Sequence, residues 1–275
     1  MSRFFTGFAR NRLFSATAAR GLDAEFIIGM TLAIAAVVVL WWTPLLFPFR
    51  IFTTSAHEIG HALAAFLMGG SASDIQLFWN GGGVTRITYN GTLAGIVVYS
   101  AGYLGSVIFG GLLLLRAKKA AARRQTLWFI TIALAVVTVF FIRDLQSLLL
   151  VAIVAGLSGL AAWKAPNLLV TFIIYVLALL SCLYSLMDLF FVITATGNPF
   201  HSGFNDAIGL ASLTPIPAFV WALIWGLVGG FMMFMFARIA IRKGPAPKDS
   251  GSKFPGTSYD PKSPFDRYDD YLSKR

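Results

Sequence analysis

Long apolar runs separated by short polar breaks dominate the chain, at about 26–47, 51–68, 93–115, 126–142, 145–163, 168–196 and 214–241. About 20 apolar residues cross the hydrocarbon core of a bilayer as a helix. The pattern therefore predicts an all-α polytopic membrane protein with six or seven transmembrane helices. The runs at 126–142 and 145–163 are short and joined only by Arg143 and Asp144, which predicts a tight helical hairpin. Asp144, next to Arg143, reads as an exposed, paired loop residue.

Between the second and third runs the pattern changes. Residues 73–80 and 84–90 are rich in β-formers and flank Gly81, Gly82 and Gly83. Two such stretches around a glycine triplet predict a short β-hairpin. An exposed strand edge can pair with an unwound peptide segment and supply main-chain hydrogen bonds with little sequence preference. The competing reading is an interfacial loop anchored in the headgroups by Trp79 and Tyr89.

Composition supports the membrane reading. The 275 residues are 57% hydrophobic and only 12% charged, with a mean hydropathy of +0.74; a soluble domain is about 25% charged. Three regions follow: a basic N-terminal segment 1–24, a membrane domain 25–242, and a tail 243–275 rich in Pro, Gly, Ser and charge. The tail has nothing to bury and is predicted to be disordered. The single cysteine, Cys182, lies in an apolar run, which excludes disulfides and a cysteine zinc site. The net charge of +10 comes from Arg and Lys beside the apolar runs, as topology signals require, and calls for no nucleic acid.

With seven spans, the basic loop 116–124, Lys164 and the flank holding Arg238, Arg242 and Lys243 fall on one side, and the basic N-terminus on the other. Residues 1–22 are Arg- and Ser-rich and acid-poor, like an organelle presequence; a re-entrant run and six spans is the alternative. A bacterial plasma membrane is the default location, and an organelle membrane the other choice.

The chemistry is concentrated in His57-Glu58-Ile59-Gly60-His61, inside the second apolar run. The chain has three histidines and two glutamates, and this pentapeptide holds two of the former and one of the latter. Ionisable residues within apolar spans are costly and mark functional sites. Positions four apart share a helix face, so both imidazoles can reach one metal ion. Two histidines and one carboxylate make a catalytic zinc site with an open position, and Glu58 can serve as the acid/base. A buried polar cluster that only links helices is the plainer alternative. The third ligand must come from elsewhere. Asp188, inside a span, and Asp206, at the mouth of the last one, are the candidates, and spacing does not choose between them. His201, in the 198–201 loop, reads as an ordinary loop histidine.

These residues resemble the M50B-like peptidases, relatives of the site-2 family of intramembrane zinc metallopeptidases. The resemblance is spread over residues 50–230. His57 to Ala64, with Gly69-Gly70 after it, is similar to the zinc helix and its exit. Gly82-Gly83-Val84-Thr85 is similar to the glycine-rich hairpin, and Ala101 to Ser106 to the small-residue motif of the next helix. Asn205-Asp206-Ala207 with 210–214 and Pro217-Ala218 resembles a further segment, where the usual pattern is Ser-Asp-Ala, so Asn205 departs. The resemblance implies a Zn2+ cofactor, His57 and His61 as ligands, Glu58 as acid/base, and Asp206 as third ligand with Asp188 as the alternative. The site-2 enzymes carry their third ligand in an Asp-Gly motif, and this chain has no Asp-Gly pair.

The leading expectation is a zinc metalloprotease cutting membrane-protein substrates within the bilayer. The second is a catalytically inactive chaperone or scaffold that binds transmembrane segments in the same groove, which the missing Asp-Gly motif favours. A transporter is the third, without the internal repeat that many transporter folds show. No feature of the sequence fixes a substrate or an oligomeric state.

Overall fold

The computed structural model describes residues 24–196 and 205–242, with the backbone alone given at 24–25, 120 and 184–196. The segment before Ala24, the tail 243–275 and His201 lie outside the described residues, as does the side chain of Asp188. Helix α1 runs Ala24–Leu40, and a 3-10 turn at Pro44–Leu46 leads into α2, Phe47–Leu67. Strands β1, Ser71–Leu77, and β2, Gly83–Thr88, follow. Then come α3, Gly91–Ala117; α4, Ala120–Phe141; α5, Leu145–Lys164; and α6, Asn167–Thr196. The short α7, Asp206–Leu213, and α8, Ala218–Ile241, complete the described order.

The structure is mostly helical, with one small two-stranded antiparallel sheet. Among the described residues four helices are long and apolar enough to cross a membrane: α3, α4 from Ala121, α5 and α8. Phe26–Leu40 and Asn167–Leu183 are shorter apolar helices. The apolar run at 26–47 is divided near Pro44, which cannot sit inside a continuing helix. Pro48 instead falls in the first turn of α2, where a missing N–H is harmless.

Helix α2 is the centre of the arrangement, packed against α3, α5, α6 and both strands. Its approach to α3 is close: a Cβ on Gly60 would sit 2.6 Å from the Ala101 carbonyl oxygen. α4 and α5 form the expected antiparallel hairpin, but its connection is not an Arg143–Asp144 pair. Arg143 donates to the carbonyls of Val139 and Phe140 at the end of α4. Asp144 is the N-cap of α5 and accepts from the Ser147 N–H at 2.8 Å. Each residue thus satisfies the unpaired backbone groups of its own helix end. Burial disfavours the charge of Asp144, but hydrogen bonds from Ser147 outweigh it and hold the carboxyl below its usual range.

Basic side chains join the other ends of these helices. Lys118 donates to the Arg242 carbonyl, and Arg124 donates to the carbonyls of Ala162 and Ala165, which flank Lys164. Loop 116–124, Lys164 and the end of α8 therefore meet at one end of the bundle.

The hairpin begins two residues earlier than the sequence pattern suggests, with only a three-residue turn, 68–70, between α2 and β1. Ser71 pairs with Thr88 and Leu77 with Gly83, with an irregularity between Ala72 and Asp74. Its turn end is anchored to α5. The Leu77 N–H donates to Ser147 Oγ at 2.8 Å, and Gln146 Nε2 donates to the Leu77 carbonyl at 2.8 Å. Trp79 stacks on Phe47 with ring centroids 5.8 Å apart, and Tyr89 meets Tyr99 edge-on, so both aromatics pack against helices.

Candidate metal centre

On α2, His57 and His61 are one turn apart and share a face, their rings 4.7 Å apart and nearly perpendicular. Their Nε2 atoms are 3.0 Å from each other. Into the same point comes Asp206, 149 residues from His57 in sequence, with Oδ2 3.1 Å from His57 Nε2 and 3.2 Å from His61 Nε2. Asp206 is the first residue of α7, where the helix N-terminus favours a carboxylate. The helix is started by Asn205, whose Oδ1 accepts from the Ile208 N–H at 3.0 Å. Asn and Ser are comparable N-caps, so the departure at Asn205 keeps the function that places Asp206.

The three atoms can hold a metal ion, and they form the cluster of that kind found among the described residues. Ligands of a tetrahedral zinc, bonded at about 2.0–2.1 Å, lie roughly 3.3–3.4 Å from one another. The triangle of 3.0, 3.1 and 3.2 Å edges approaches that spacing to within a few tenths of an ångström. The donor set, two imidazole nitrogens and one carboxylate oxygen, suits zinc. His61 Nδ1 lies 2.8 Å from the Val98 carbonyl oxygen. A carbonyl only accepts, so the proton is on Nδ1 and the Nε2 lone pair faces the cluster. His57 is held by Tyr103, edge-on at 4.8 Å, and Tyr103 in turn stacks on Trp225 of α8 at 5.1 Å.

Space for the cluster depends on α3. A Cβ on Gly102 would lie 2.5 Å from the Nε2 atoms of both His57 and His61, in the place where the ligands converge. Asp144 caps α5 and takes no part, and Asp188 is on α6 with its side chain outside the described residues.

Glu58 is buried at 4% exposure, yet lines the same cavity as the histidines, Asp206 and Tyr103, a space of about 670 Å³. The hairpin contributes Gly83, Val84, Thr85 and Ile87 to the cavity lining. Thr85 Oγ1 donates to Glu58 Oε2 at 2.6 Å, and Thr54 Oγ1 donates to the Gly81 carbonyl at 2.6 Å. Sequence reasoning did not single out Thr54, Tyr103 or Thr85 for these contacts. The one signal for Thr85 was its place beside the glycines of the hairpin.

The sequence model of the Peptidase M50B-like family matches residues 30–236 of this chain. No curated protein and no solved structure matches it. The family match covers most of the chain and includes both histidines, Glu58 and Asp206, the residues that the fold gathers at one cavity. The chain belongs to the Peptidase M50B-like family.

Proposed function

We propose that this chain is a zinc-dependent metalloprotease that hydrolyses peptide bonds of membrane-protein substrates within the bilayer. The observation that carries the reading is the convergence of His57 Nε2, His61 Nε2 and Asp206 Oδ2 beside Glu58. Four helices long and apolar enough to cross a membrane, together with the family, support an integral membrane protein.

His57, His61 and Asp206 would hold the ion. Zinc in such a site supplies a Lewis acid for the scissile carbonyl and brings the pKa of water to around 7. Glu58 takes a proton from the attacking water on its carboxylate and returns it to the nitrogen of the leaving amine. Glu58 and His61 are both buried, so the electrostatic influence of these groups is larger than at a surface. β2 is the end strand of its sheet and lines the cavity. Its unpaired side offers main-chain donors and acceptors to a substrate segment that has unwound from its helix.

Reconstituted wild-type protein is expected to cleave a panel of single-span membrane peptides. Glu58→Gln should lower the rate by about 10²–10⁴-fold while the protein still binds zinc. Function that survives Glu58→Gln unchanged would instead identify a scaffold that holds transmembrane segments without cutting them.

A further inference from the structure

We propose that Thr85 is a positioning residue for Glu58, its hydroxyl fixing the carboxylate against the cavity wall. This rests on reading Glu58 as the acid/base. A carboxylate this buried requires protein donors, and Thr85 Oγ1 supplies one at 2.6 Å from Oε2. The same hydroxyl is 3.2 Å from the Glu58 carbonyl oxygen. It has one proton to give, and the shorter contact to a charged oxygen takes it.

The other side of the carboxylate meets β2 as well. A Cβ on Gly83 would lie 2.8 Å from Oε1 and 2.9 Å from Cγ. Gly83 and Thr85 are two apart and share one face of the strand. That face therefore clasps Glu58 between a hydroxyl and a bare backbone. One turn earlier on α2, Thr54 bonds the Gly81 carbonyl, so helix and hairpin hold each other at the carboxylate and again one turn before it. The strand that lines the cavity is thus the strand that aims the base, and a substrate seated along β2 lies against Glu58 in its working orientation.

The sequence contains two glutamates, Glu25 and Glu58, which makes the contact directly observable. In full-length, zinc-loaded protein carrying Glu25→Gln and carboxyl-¹³C glutamate, the isotope-shifted infrared carboxylate band reports Glu58 alone. Thr85→Val keeps the side-chain shape and removes the donor; Thr85→Ser keeps the donor. The band should move in Thr85→Val and stay at the wild-type position in Thr85→Ser. Thr85→Val should also lower kcat by about 10–100-fold with KM within about twofold, at unchanged zinc content and Tm, and Thr85→Ser should restore most of the rate. An unmoved band in Thr85→Val, or equal band shifts in both variants, overturns the proposal. So does a loss of rate that tracks zinc or Tm. A band that moves in Thr85→Val alone, in protein that cleaves no peptide, removes the proteolytic reading and leaves the contact in place.

Discussion

Helices α3 and α5 are both apolar enough to cross a membrane, but they serve opposite purposes. In α3, 44% of the spanning window is buried inside the protein; in α5 the figure is 28%, and in its hairpin partner α4 it is 22%. α3 turns Gly102, Tyr103 and Ser106 inward to the His57–His61–Asp206 cluster and the cavity. α5 presents Leu149, Leu157, Leu160 and Trp163 outward. Apolar length thus says that a helix suits a bilayer, and small or polar residues on one face say what it holds there. The same substitution should accordingly have opposite consequences in the two regions.

Gly102→Ala should have the largest effect. Its Cβ would fall 2.5 Å from both ligand nitrogens, so we expect loss of bound zinc together with loss of cleavage, read by metal analysis and peptide assay on purified protein. Zinc retained at the wild-type level would break the comparison. Ser147→Ala comes next. Ser147 is fully buried and accepts from the Leu77 N–H, and a buried donor left without its partner costs about 1–3 kcal/mol. Thermal unfolding should show that loss, and hydrogen exchange should quicken at the hairpin turn rather than in α3.

Asp144→Ala removes only the cap of α5, which is worth about 0.5–2 kcal/mol. Its Tm should fall while zinc content stays at the wild-type value, because Asp144 belongs neither to the cluster nor to the cavity lining. Gly156→Ala, on α5, should have the smallest effect. A Cβ there meets nothing within 4 Å, so stability should change by less than about 1 kcal/mol, in the favourable direction on helix propensity. A fall in zinc or activity in Gly156→Ala would show that α5 is coupled to the site after all.

Much of the site was legible from local sequence, and the rest for definite reasons was not. His57 and His61 could be placed on one face because four residues make about one helical turn. The hairpin was visible in the glycines between β-forming stretches, although its strands start earlier because only the turn at 68–70 separates α2 from β1. Asp206 could not be reached by spacing. It meets His57 across 149 residues, and only the resemblance to a family favoured it over Asp188. Asn205 looked like a departure and proves to be an equivalent cap, since the chemistry of capping tolerates either residue. Thr85 was hidden in a different way. Its contact with Glu58 exists because the hairpin folds back on α2 and is anchored to α5 through Leu77, a tertiary arrangement that no local pattern encodes. The split of the 26–47 run, in contrast, was written in Pro44 and needed only the proline rule.

The central claim is that His57, His61 and Asp206 together hold a zinc ion. Metal content of purified wild type beside His57→Ala, Asp206→Ala and Asp188→Ala tests it most directly. About one zinc per chain is expected in wild type and in Asp188→Ala, with little or none in His57→Ala and Asp206→Ala. Zinc-free wild type, or Asp206→Ala that keeps its zinc while Asp188→Ala loses it, would contradict the assignment.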